Sequence, residues 1–266
     1  MAYEKIKTRV EGAIAIVTLN DPGTLNAAGV DLVQELQHAF DTFALPDSGV
    51  RCLILTGEGR GFCSGANLSG RGSAPVETPP GGPDSGAALE TIYNPFVTTM
   101  KTYPIPIVTA VNGVAAGVGC SLALLGDIIV CAESAYFLQA FRRIGLVPDG
   151  GSTYLLPRHI GRVRAMEMAL LGEKLPSKTA LEWGLVNRVV ADDQVMSVAM
   201  EFANALASGP RSLGWTRQLI WDSLDSSWTE QLHAERIMQR NAGRTEDSRE
   251  GVMAFLEKRP TAFKYR

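Results

Sequence analysis

From Ile105 to Gly126 the chain carries no charged side chain. A run that long is stable only inside a membrane or inside a protein core. Its punctuation favours the core. Pro104 and Pro106 stand at its start, Asn112-Gly113 interrupts it, and Gly117, Gly119 and Gly126 follow. The β-branched stretch Ile107-Val108-Thr109-Ala110-Val111 therefore reads as a buried strand. A glycine turn follows it, and then a small-residue buried helix.

The same strand-then-turn grammar recurs along the chain. Ile14 to Leu19 reads as a strand closed by Asn20-Asp21-Pro22-Gly23, and Cys52 to Thr56 as an apolar strand ended by Gly57-Glu58-Gly59. Between them, Leu32, Val33, Leu36, Phe40 and Phe43 recur at helical spacing and predict a helix from Val30 to Ala44. A helix between two such strands is a βαβ crossover, so the sheet is expected to be largely parallel. Asp127 to Cys131 reads as another strand and 87–101 as a helix. The Gly-, Pro- and Ser-rich segment 70–86 has no regular pattern and is expected to be a mobile loop.

After Pro176 helical patterns dominate, at 177–183, 192–207, 210–222, 228–242 and 245–257, with one strand at Val186 to Val190. The expected class is α/β, with a core over residues 1–200 and a helical region over 201–266 that folds back on its own core or packs on a neighbour.

Composition narrows the function. With 266 residues, 45% hydrophobic and 20% charged, the chain can build a core without metals or disulfides. A net charge of −3 gives no footprint for nucleic acid, and no polybasic membrane anchor is present. Met1 to Lys5 begins no signal-peptide apolar region, and Cys52, Cys63, Cys120 and Cys131 form no CxxC pair, which fits a cytoplasmic protein with reduced thiols. His38, His159 and His233 lack ligand spacing, so no metal is expected. There is no G-x-S-x-G elbow and no Walker A motif, and Gly117-Val118-Gly119 is only a fragment of a dinucleotide fingerprint.

Two apolar strands each run into a glycine-bearing turn, Gly61 to Leu68 and Asn112 to Ser121. Glycines let the backbone approach a ligand and turn its N–H groups outward. Two such groups converging on one oxygen make an oxyanion hole. On residue chemistry alone, such turns are more often plain structural punctuation.

The wording of these turns is specific, however. Gly61-Phe62-Cys63-Ser64-Gly65-Ala66-Asn67-Leu68 resembles the G-x-F-x-x-G-x-D-[LI] segment of the crotonase (enoyl-CoA hydratase/isomerase) superfamily, and Ala110 to Cys120 resembles its A-x-x-G-x-A-x-G-G-G-x segment. Phe137 to Pro148, Met166 to Val189 and Glu250 to Arg259 are similar to later blocks in the same order. The resemblance implies a spiral of ββα units with a C-terminal helical region, assembled as a homotrimer or dimer of trimers. It also implies an acyl-CoA substrate, with coenzyme A as part of that substrate and no separate cofactor. The oxyanion donors would be the amides of Ala66 and Val118. Where the family usually has glycine, Val118 must keep a negative φ, because a β-branched residue tolerates positive φ poorly. Asn26, Ala27, Ser64, Gly65, Asn67, Leu68 and Gly117 would contact the substrate, with Lys258 and Phe263 near the nucleotide.

The chain departs from the hydratases of the family. Their two glutamates fall on Ser121 and Phe141, and neither residue can do carboxylate chemistry. An acid stands instead at Asp149, in Pro148-Asp149-Gly150-Gly151. This wording is most similar to phenylacetate-type isomerases, where aspartate occupies that place. Asp149 thus has two readings, a helix N-cap in a turn or a proton-transferring base, with Ser121, Phe137 and Phe141 around the acyl group. Other crotonase outcomes also stay open: hydration with another acid, a dehalogenase or thioesterase with Asp149 as nucleophile, and a silent CoA-binding relative.

Overall fold

The computed structural model describes residues 2–67 and 84–266. Leu68 and most of the segment expected to be a mobile loop lie outside the described residues.

The chain repeats one device. Three times, a long apolar strand enters a main sheet, a turn of two or three residues follows, and a three-residue strand enters a second sheet. The long strands are β1 (Ile6–Glu11), β2 (Ile14–Leu19), β3 (Cys52–Gly57), β5 (Ile107–Val111) and β7 (Ile128–Ala132), and the short ones include β4 (Gly61–Cys63), β6 (Val114–Ala116) and β8 (Tyr136–Leu138). Two more short strands, β9 (Lys174–Pro176) and β10 (Arg188–Val190), close one sheet each. The main sheet runs β1-β2-β3-β5-β7-β10, and the second runs β4-β6-β8-β9. Registers such as Leu53 opposite Ile107 and Val108 opposite Ile128 are parallel, as the crossover argument requires. Only the β1–β2 and β8–β9 pairs are antiparallel among the described strands.

Helices cover the sheets. They are α1 (Val30–Ala44), α2 (Asn94–Lys101), α3 (Val118–Leu124), α4 (Ser152–Leu171), α5 (Ser177–Glu182) and α6 (Val195–Ala207), then α7 (Ser212–Asp222), α8 (Trp228–Ala242) and α9 (Glu246–Glu257). Helix α1 has the expected limits and buries Leu32, Val33, Leu36, Ala39 and Phe40, while Phe43 is half-buried. Helix α6 packs on β3, β5 and β7 through Val195, Ala199, Ala203 and Ala207, whose small side chains at i, i+4 spacing allow a close approach. Within α4, Gly161 takes φ 76° and divides the helix into two segments.

Several limits differ from the sequence reading. Helix α6 begins at Val195 because 192–194 form a 3-10 turn, and β10 is shorter than Val186 to Val190. Strand β1 was not anticipated because it is an edge strand in which only Ile6 is buried, so it lacks the apolar alternation that marks a strand.

The C-terminal helices are tied to the core through one buried arginine. Arg217 on α7 is 6% exposed and donates Nε to Asp127 Oδ2 at 2.7 Å. Its other nitrogens donate to the carbonyls of Met100 at 2.6 Å and of Lys101 and Tyr103 at 2.8 Å. Asp127 also accepts from Trp221 Nε1 and from the amide of Ile107 at the start of β5. A second acid, Asp247 on α9, holds the final residues by accepting the amides of Lys264 and Tyr265 while also accepting that of Arg211. Replacing Arg217 takes the counter-charge from Asp127 and a donor from each of three main-chain carbonyls. Arg217→Met is therefore expected to cost about 3–5 kcal/mol of unfolding free energy in chemical denaturation, with a loss below about 1 kcal/mol contradicting the assignment.

Candidate active site

Packing brings the two glycine turns together. A Cβ at Gly119 would collide with the Cys63 carbonyl, and one at Gly113 with the Arg60 carbonyl, so α3 and β6 lie directly on β4 and the residues before it. At the meeting point is a cavity of about 100 Å³. It is walled by Ser64, Gly65 and Ala66 after β4, Gly117 and Val118 at the start of α3, residues of the 85–93 segment, and Ala140 to Asp149.

The backbone around the cavity is set by hydrogen bonding. Ala28 forms a parallel bridge with Ala66: the Ala28 amide donates to Gly65 O at 2.7 Å and its carbonyl accepts from Asn67 N at 3.3 Å. In this pattern the flanking residues supply the bonds, so Ala66 turns its own N–H to the opposite side. Val118 is the first residue of α3, and a first-turn N–H has no acceptor within its helix. Gly117 takes φ 52° and ψ −127°, a conformation open only to glycine, which leaves Val118 with helical backbone and the expected negative φ. The valine side chain is directed at the 149–151 turn, where a Cβ on Gly150 would fall 2.9 Å from Val118 Cγ2.

Asp149 borders the same cavity and is half-buried, with Oδ1 shielded from solvent. The N-cap of α4 is Gly151, which offers no side-chain cap. Asp149 supports the helix start through its main chain instead: its carbonyl accepts from Ser152 N at 3.0 Å and from Ser152 Oγ at 2.8 Å. Asp149 is the only acidic residue among the described wall residues.

Of the residues singled out in the sequence, Ser64, Gly65, Ala66, Gly117, Val118, Phe141 and Asp149 are brought together. Asn67 follows directly, half-buried. Asn26 and Ala27 lie one layer back. Asn26 is fully buried and spends its side chain on the amide of Asp21 and the carbonyls of Glu58 and Gly61. Phe137 and Ser121 are also fully buried and stand behind the wall. Lys258 is an exposed residue ending α9, and Phe263 lies in a separate groove between α7, α8 and α9.

Sequence reasoning missed Leu89, Tyr93, Ile144 and Leu146 on the wall. Leu89–Tyr93 forms a π-helical turn before α2, and the Tyr93 hydroxyl donates to Ala28 O at 2.6 Å. Such a turn leaves no periodicity to read, although π-turns recur at functional sites.

The four cysteines are buried and held as protonated thiols at neutral pH. Burial pushes the Cys63 thiol beside the turn up to about 11, and those of Cys52, Cys120 and Cys131 up to about 12. No group of three or more His, Cys, Asp or Glu residues among the described residues could hold a metal ion. Nor is any described helix long and apolar enough to cross a membrane.

Residues 9–266 match the family model for enoyl-CoA hydratase/isomerase. The chain belongs to that family. It is 44% identical to the 1,2-epoxyphenylacetyl-CoA isomerase of Escherichia coli K12 over 98% of both chains. It is 38% identical to a probable enoyl-CoA hydratase of Rhodobacter capsulatus over 99% of both. Among solved structures, an enoyl-CoA hydratase subunit from Geobacillus kaustophilus superposes with a TM-score of 0.89 at 32% identity, over 99% of both chains. The protein is thus an enzyme of the hydratase/isomerase family with the crotonase fold.

Two outcomes check this geometry. Gly117→Ala has room for its methyl, with nothing nearer than 3.7 Å, so its cost is backbone strain of about 1–3 kcal/mol, read in denaturation together with a loss of activity. A thiol reagent at pH 8 should label none of the four cysteines in the native protein and all of them in denaturant; native labelling of Cys63 would contradict its burial.

Proposed function

We propose that the protein is an enoyl-CoA isomerase that stabilises a thioester enolate and moves a double bond, acting on an acyl-CoA of the ring-derived kind. The observation that carries this reading is that Asp149, the one acidic residue among the described wall residues, lines the same cavity as Ala66 and Val118. The thioester carbonyl accepts both N–H groups, which stabilise charge most where it develops. The Asp149 carboxylate takes a proton from the acyl chain, the electrons move onto the carbonyl oxygen, and the protonated Asp149 returns the proton at another carbon. The product is an isomer with nothing added or lost.

Two features support isomerisation over hydration. Positions 121 and 141 carry serine and phenylalanine, so no carboxylate is available there to split water. Phe141, Ile144 and Leu146 also make the wall beside Asp149 apolar, which disfavours water and suits an acyl chain or ring. The name of the Escherichia coli relative points to a ring-derived acyl group.

Coenzyme A would run past Ala27, Ser64, Gly65 and Asn67. Residues 201–266 would join copies into a trimer or dimer of trimers, which would bring Lys258 and Phe263 of one copy to the nucleotide of another. Supporting this, Trp228 on α8 and Phe255 and Leu256 on α9 are exposed by 77%, 82% and 68%.

A panel of 3-enoyl-, dienoyl- and ring acyl-CoA esters in heavy water, followed by NMR, tests the reading. The expected result is deuterium at the α or γ carbon, with Asp149→Asn slower by about 10²- to 10⁴-fold and an unchanged melting temperature. Exchange with no substrate would sink it. Heavy oxygen entering Asp149 from labelled water in one turnover would make the residue a nucleophile instead.

A further inference from the structure

Ser121 is fully buried and is not among the described residues that wall the cavity. A buried serine in a helix commonly turns its hydroxyl back to the carbonyl one turn earlier. Ser121 does not do so; its Oγ crosses to the next segment and donates to the Asp149 carbonyl at 3.3 Å. The same turn meets α3 at a second point. Gly150 takes φ 57°, and a Cβ there would lie 2.9 Å from Val118 Cγ2 and 3.3 Å from Ser121 Oγ. Val118 and Ser121 are three residues apart on one helix and therefore share a face. Two side chains of α3 thus grip the turn that carries Asp149, and the backbone of Val118 supplies one of the amides at the cavity.

We infer that Ser121 is a positioning residue for Asp149, fixing the carboxylate relative to the Val118 amide through a single rigid helix. The inference rests on the isomerase reading above. Ser152 donates to the same carbonyl at 2.8 Å, but from within the turn's own helix. It shapes the turn locally without referring it to α3. The hydroxyl of Ser121 is what sets the spacing between the proton acceptor and the oxyanion donor. Proton transfer requires the donor and acceptor to stay within hydrogen-bond reach, and a small displacement of a positioned group costs rate rather than binding.

A double-mutant cycle tests this on the full-length enzyme. Steady-state isomerisation and α-proton exchange are measured for Ser121→Ala, Asp149→Asn and the double variant, with melting temperature as the folding control. Ser121→Ala is expected to lower kcat about 5- to 30-fold with KM within about twofold, and to have no further effect in the Asp149→Asn background. Ser121→Cys keeps the shape with a weaker donor and should lose less. It also supplies the measurement if the alanine variant folds poorly. Equal fold-losses in both backgrounds, a change in KM alone, or full activity in Ser121→Ala would overturn the role. If Asp149→Asn is itself as active as the parent, the isomerase reading fails first and the positioning role fails with it.

Discussion

The contact between the two glycine turns is what the remainder of the site depends on. Their backbones lie so close that a side chain at Gly119 or Gly113 would strike a main-chain carbonyl of the other segment. This contact fixes the start of α3 against the end of β4. It thereby decides where the amides of Ala66 and Val118 can be, with no side chain involved in the decision. The bridge from Ala28 to Ala66 then settles which way the first turn faces. The left-handed Gly117 does the same for the second. Backbone amides placed this way would be preorganised as the proposed donors, because their positions are set by the sheet and not by mobile side chains.

The long apolar strands and amphipathic α1 were legible because burial imposes periodicity on their sequences. The turns were legible because glycine marks them. What escaped was everything whose signal is not periodic. Strand β1 buries one residue in six, β8 and β9 are three residues each, and the π-helical turn carrying Leu89 and Tyr93 follows no repeat. For the site, family resemblance assigned positions but not side-chain directions. Asn26 and Ser121 were expected at the substrate, yet the fold spends both on carbonyls and amides of neighbouring loops. Conversely, the two readings of Asp149 could not be separated in the sequence, because both need an acid just before a helix; the N-cap position itself falls on Gly151.

Distance from the cavity does not make the C-terminal region irrelevant to it. Arg217 holds the ends of α2 and β5 together, and β5 is the strand that runs into the second turn. Helix α8 buries no residue fully, and its start is set locally by a capping box between Ser227 and Glu230.

The packing at Gly150 has a consequence for that position itself. A side chain there would meet Val118 Cγ2 at 2.9 Å and Ser121 Oγ at 3.3 Å, and the residue's φ of 57° is one that L side chains rarely adopt. Space and backbone conformation thus select glycine independently. Any replacement would have to shift either the turn that carries Asp149 or the start of α3, so a methyl group at a position with no functional atom of its own would be felt at the cavity.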